Sequence, residues 1–269
     1  MDARRFLSAL FRRRQWRGSE GCLVGNANGV WIQLPALARH STDGAWAGIG
    51  HSGIWCVVEA AKQYAIDLKL YNFWEMPSAL KDGVLAPELC ANLAKGPVVS
   101  FVGGGAPSVL AIAQHPEPFD FVLPEAPDLP LTTGAQIIPY DAMRAVLTAL
   151  NEPYLSTMRQ VRDASGGTTF HVEGPPPVAD PDRMGGKFPW SLHPGMLKAF
   201  SPRWLRLKVW RLQSAIIHDF CAEEGLVFVP RPPGVADADG FLREEFFKDA
   251  VHANAAYGAL VIEQVRALL

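Results

Sequence analysis

Cysteine is scarce and scattered in this chain. Cys22, Cys56, Cys90 and Cys221 are spread over 269 residues with no CxxC pair. That excludes a disulfide scaffold and gives no zinc motif. The four read as buried thiols of a reducing compartment, so the cytoplasm is the expected location. An excess of either charge is missing too: 25 basic residues stand against 27 acidic ones, a net charge of −2. A nucleic-acid-binding domain is usually strongly basic, so no nucleic-acid partner is expected. With 49% hydrophobic and 19% charged residues, the chain is not a disordered polyelectrolyte either. No run approaches the roughly 18 apolar residues of a membrane-spanning helix. Phe6 to Phe11 is about half the length of a secretory apolar core, and no small-residue cleavage site follows it. There is no internal repeat. Gly103-Gly104-Gly105 lacks the Lys-Ser/Thr of a phosphate loop and is not GxGxxG. His40, His193 and His218 have no partner at metal-ligand spacing, so neither a metal nor a cofactor is expected.

One segment departs from the average. Residues 2–17 hold six arginines against Asp2 alone, a local charge of +5 that leaves −7 for the rest. Interleaved with Phe6, Leu7, Leu10 and Phe11, this leader suits an anionic membrane surface or an acidic partner, or is a frayed surface helix. Residues 1–19 are therefore set apart as a basic leader, and 20–269 are read as a single α/β domain. The only membrane contact expected is through the leader, and the oligomeric state is not legible.

Beyond the leader, apolar bursts alternate with helical patterns. Gly21 to Val24, Ile66 to Tyr71, Pro97 to Val102, Thr168 to Val172 and Leu226 to Pro230 predict strands. Helices are predicted over Asn28 to Arg39, Ile54 to Tyr64, Leu205 to Glu224 and Ala253 to Leu269. Ala142 to Leu150, running past Pro153 to Arg162, predicts one or two more. Most of these strands are continuous apolar runs, as expected when helices cover both faces of a parallel sheet. Residues 115–140, rich in Pro and Asp, and 174–202, rich in Pro and Gly, read as long excursions of the lid kind.

Ligands of an open α/β sheet sit beyond the carboxyl ends of its strands. The chemistry-bearing residues there are Asn26, Ala27 and Asn28 after the first predicted strand, the triple glycine after a central one, and Asp249 and His252 before the last helix. A carboxylate three residues before an imidazole can fix its tautomer and stabilise its cation, as a general base requires. A surface pair or a helix cap has the same spacing. His51 beside Ser52, and His171 beside Glu173, read as solvated or core histidines before they read as bases. Trp204 to Trp210 reads as packing, and Trp190, in the second excursion, as a pocket residue.

In order and spacing, residues 20–269 resemble the SGNH (GDSL-like) hydrolases. Gly25-Asn26 follows the first predicted strand, Gly103-Gly104-Gly105 a central one, and Asp249-Ala250-Val251-His252 precedes the last helix. The resemblance implies a three-layer α/β/α sandwich with a mainly parallel, flavodoxin-like sheet. It also implies an ester hydrolase or acyl-transfer activity on a small-molecule ester or acyl substrate. His252 would be the base and Asp249 its orienting carboxylate, with an oxyanion hole of backbone amides near Ala27, Gly50, Gly104 and Gly105. Two positions depart from the pattern: Ala27 stands where the serine belongs, and Gly105 where the oxyanion asparagine belongs. Three explanations stay open. Ala27 is a substituted serine, or the chain is a silent pseudo-enzyme that binds a small molecule or a partner, or Ser52 or Ser108 is the nucleophile.

Overall fold

The computed structural model describes residues 46–104, 106–180, 197 and 199–269. The leader, the predicted strand Gly21 to Val24 and the predicted helix Asn28 to Arg39 lie outside them. So do Asn26, Ala27, Asn28, Gly105 and Trp190.

Five strands form the central sheet: β1 (Ala47–Gly50), β2 (Lys69–Asn72), β5 (Val98–Phe101), β8 (Thr169–Val172) and β9 (Val227–Val229). They run β2-β1-β5-β8-β9, every pair parallel. Two small pairs stand apart, β3 (Leu80–Lys81) with β4 (Val84–Leu85), and β6 (Phe119–Asp120) with β7 (Gln136–Ile137). Six helices are described: α1 (Trp55–Gln63), α2 (Pro87–Leu93), α3 (Ala106–Ile112), α4 (Tyr140–Ala164), α5 (Arg203–Glu224) and α6 (Ala255–Arg266).

The side-chain alternation of the strands sorts these helices into two outer layers. Val99 and Phe101 of β5 and Phe170 and Val172 of β8 pack with Val57 and Ala61 of α1 and Tyr257, Val261 and Val265 of α6. On the other face, Ile49, Tyr71 and Val98 pack with Leu93 of α2, Leu155 and Met158 of α4, and Phe220 of α5. The expected three-layer α/β architecture is thus present. The chain leaves β1 for β2, then crosses back to β5, so its direction reverses between β1 and β5. Such a reversal opens a crevice at the carboxyl ends of the two strands.

The helix predicted from Ala142 to Arg162 is one helix, α4, with Pro153 inside it. Strand β1 was not expected, because Ala-Gly-Ile-Gly holds one large apolar residue and glycine is depleted in strands. Its last glycine answers a close approach: a Cβ at Gly50 would stand 2.5 Å from the Phe101 carbonyl oxygen. The excursion 115–140 is pinned rather than loose. Its strand β6 pairs with β7. Asp120 of β6 forms a fully buried ion pair with Lys208 of α5, and takes the Phe121 and Thr132 amides at 2.7 Å each. Among the described residues no helix is long and apolar enough to cross a membrane.

Candidate active site

The crevice is reached from three chain segments. The first leaves β1 through Gly50 and His51 and turns at once. Ser52–Ile54 form a 3-10 turn, closed by the Ile54 amide on the His51 carbonyl at 3.1 Å, and α1 follows at Trp55. Ser52 therefore stands at a strand-to-helix elbow. The amides of Ser52 and Gly53 have no backbone acceptor among the described residues. His51 turns to the other face of the sheet, edge-on to Phe73 (5.1 Å between centroids) and Tyr154 (5.3 Å). Burial lowers its pKa to about 4, so it is neutral at pH 7.

The second segment leaves β5 through Val102, Gly103 and Gly104 into α3. Gly104 has φ +99°, a conformation open to glycine and strained for other residues. Neither glycine amide has a backbone acceptor among the described residues. Ser108 lies near the start of α3, half-buried.

The third segment is the turn from Lys248 to His252. The His252 carbonyl takes the amides of Lys248 (3.1 Å) and Asp249 (3.3 Å). Asp249 Oδ1 takes those of Val251 and His252, at 2.9 Å each. These bonds hold the two side chains together: His252 Nδ1 lies 2.9 Å from both Asp249 carboxylate oxygens. With Nδ1–H donating to the carboxylate, Nε2 is left as the acceptor. Burial alone would raise the Asp249 carboxyl, but hydrogen bonds from His252 and the two amides outweigh it and hold the group below its usual range. Asn254 locks the turn to α6. Its Oδ1 caps the helix on the Ala256 and Tyr257 amides, while Nδ2 donates to the Glu245 and Phe247 carbonyls.

Two contacts tie the turn to the elbow. The Trp55 ring, at the first position of α1, lies 4.9 Å from the His252 ring. Lys248 lies 5.6 Å over the same indole and pairs with Glu59 of α1. The helices behind them also touch, since a Cβ at Gly258 of α6 would fall 2.0 Å from the Cys56 carbonyl oxygen of α1.

Asp249 and His252 line a cavity of about 80 Å³ together with Ser108, Arg206, Trp210 and Pro175 to Val178. That volume holds a few waters or a short acyl group. Its wall is fastened from behind. Arg206 Nη2 donates to the Val178 and Ala179 carbonyls at 3.0 Å each, and Nη1 to the Ser201 carbonyl. Burial lowers its pKa to about 10, which leaves it charged at neutral pH. Trp210 Nε1 donates to the Gly174 carbonyl at 3.2 Å. Glu173 takes the Arg231 amide at 2.8 Å and the Ser214 hydroxyl.

Of the residues singled out in the sequence, the structure brings Asp249, His252 and Ser108 to one cavity. Ser52 sits on the elbow whose helix meets the His252 ring. Gly50 is within the sheet, its carbonyl accepting the Phe73 amide at 2.9 Å. His171 is core: it is buried against Ser100, with its Nδ1 3.2 Å from that hydroxyl. Trp55, Arg206 and Asn254 were not foreseen. Two cations, Arg206 and Lys208, sit among the buried residues of α5, and a charge inside that apolar pattern was the signal that could have flagged Arg206. Among the described residues no group of three or more His, Cys, Asp or Glu side chains could hold a metal.

No protein-family model matches the chain, and no curated protein matches it. Solved structures are similar to it, and three of them illustrate the likeness. A candidate acylhydrolase from Bacteroides fragilis shares 12% identity at a TM-score of 0.44, over 88% of this chain and 90% of that one. A GDSL-like lipase from Bacteroides thetaiotaomicron shares 14% at 0.38, over 87% and 93%. A candidate SGNH hydrolase from Slackia heliotrinireducens shares 14% at 0.40, over 83% and 97%. At such overlap and identity, function rests on this chain's own side chains.

Proposed function

We propose that the chain is a carboxylic ester hydrolase or acyl-transfer enzyme of SGNH type, with Ser52 as its nucleophile. One observation carries the reading. The Asp249–His252 pair is oriented through Nδ1 and packs on the first residue of the helix that Ser52 leads into. The resemblance seats the serine at the end of a strand beside the crevice. In the described sheet β1 is such a strand, and its end reads Gly50-His51-Ser52.

His252 Nε2 takes the Ser52 proton as the hydroxyl oxygen bonds to the ester carbonyl carbon, and Asp249 stabilises the imidazolium. The amides of Ser52, Gly53, Gly103 and Gly104 are the backbone donors for the oxyanion. His252 then returns the proton to the leaving alcohol, and an acyl-serine remains for water or a second alcohol to attack. A second reading of the nucleophile has its own observation, since Ser108 lines the cavity together with the pair.

Hydrolysis of p-nitrophenyl acetate separates these readings. Ser52→Ala abolishes turnover on the proposed mechanism and Ser108→Ala preserves it; the reverse assigns Ser108. No hydrolysis by the folded, unaltered protein would leave a binding protein.

A further inference from the structure

Trp210 of α5 is the largest side chain on the wall of the cavity beside Asp249 and His252, and it is half-buried. Its ring is fixed at two places. Nε1 donates to the Gly174 carbonyl at 3.2 Å, and the Arg231 guanidinium lies 5.1 Å from the ring centroid. Both anchors lead to Glu173, at the exit of β8. This buried carboxylate takes the Arg231 amide at 2.8 Å and the hydroxyl of Ser214, one turn beyond Trp210 on α5. The indole cannot swing aside without breaking these contacts.

The rest of the wall sets what the cavity accepts. Ala111, Ile112, Val178, Leu242 and Ala250 are aliphatic, and the three prolines before Val178 offer no N–H. Arg206 is fully buried with its Nη donors spent on carbonyls, and the Asp249 carboxylate repels an anion. An uncharged aliphatic group suits this lining. A dry cavity of about 150 Å³ holds benzene, so one of about 80 Å³ holds roughly half as many carbons.

We infer that this cavity takes the acyl half of the ester and that Trp210 sets its depth. The inference rests on the hydrolase reading above. In that reading the ester carbonyl lies at the glycine amides after β5. Helix α3 starts two residues beyond Gly104 and brings Ser108, Ala111 and Ile112 to the cavity. The acyl chain, bonded to the carbonyl carbon, is the half that continues along α3. It also stays bound between the two steps, whereas the alcohol must leave. Uncharged acyl groups of about two to four carbons fit, and longer ones meet the indole.

The test is a chain-length profile of kcat/KM with p-nitrophenyl acetate, butyrate and hexanoate. The unaltered protein should lose about tenfold or more between butyrate and hexanoate. Trp210→Ala should shrink that drop by about tenfold, and Trp210→Phe, with a smaller ring, should fall between the two. Circular dichroism checks the fold of both, and Trp210→Phe alone decides if Trp210→Ala does not fold. A ring that only holds α5 to β8 predicts the same loss with every ester. That unchanged profile overturns this inference and leaves the hydrolase reading intact. So does a flat profile in the unaltered protein. So does a change confined to the alcohol, read as p-nitrophenyl against 1-naphthyl acetate. Absence of hydrolysis by the unaltered protein overturns both.

Discussion

Both carboxylate oxygens of Asp249 stand 2.9 Å from Nδ1 of His252. An acceptor so placed selects the tautomer in which Nε2 can take a proton. Asn at position 249 would present an N–H to the same nitrogen and favour the other tautomer. Asp249→Asn should therefore lower kcat by about three to four orders of magnitude, the loss expected for a mis-set base. Its Oδ1 can still take the Val251 and His252 amides, so the melting temperature should change little. Differential scanning fluorimetry beside ester hydrolysis checks both halves.

Gly258 lets α6 rest on the backbone of α1; α1 follows Ser52 and α6 follows His252 in the chain. A methyl there would fall 2.0 Å from the Cys56 carbonyl oxygen and 2.8 Å from the Val57 nitrogen, neither of which is a flexible side-chain end. Gly258→Ala should cost about 1–3 kcal/mol of stability, the range for overpacking. It should also lower kcat, because the helix shift moves His252 relative to the elbow. Urea denaturation gives the first quantity and turnover at saturating ester the second.

The Lys208–Asp120 pair is fully buried. Lys208→Met leaves a carboxylate uncompensated in the interior and should cost about 3–5 kcal/mol. Adding Asp120→Asn should recover much of that loss, since the stranded charge is gone. Chemical denaturation of the four proteins of this cycle measures the coupling; additive losses would mean that the pair does not act as a unit.

Stability should also depend on the buried histidines. Burial lowers His171 and His51 to about 4 each. Between about pH 4 and 6.5 the unfolded chain holds their protons and the folded one does not, so stability rises with pH across that window. His171 accounts for about 3 kcal/mol of the change between its ends. His171→Gln should flatten the slope of unfolding free energy against pH by about one proton's worth. An unchanged slope would mean that the imidazole is protonated in the folded chain.

The parts legible in the sequence were those fixed by local pattern. Val98–Phe101 read as a strand because it is an unbroken apolar run, and Arg203–Glu224 as a helix by its apolar stripe. Asp249 and His252 were legible because their contact is local, three residues apart. Strand β1 was hidden, because its glycines answer Leu70 and Phe101, neighbours that only the folded sheet supplies. The sequence pattern places the nucleophile turn at Ala27, which lies outside the described residues, with Ser52 as an alternative. The pairing of β6 with β7 and the pin from Lys208 are contacts between distant residues, so 115–140 looked like a lid.

The central claim is that Ser52 attacks the ester. Reaction with a fluorophosphonate, followed by peptide mass spectrometry, tests it most directly, because the reagent bonds to an activated serine and stays there. The account predicts a single adduct on the peptide that carries Ser52, lost in His252→Ala. An adduct on Ser108, or none on a protein that hydrolyses esters, would contradict it.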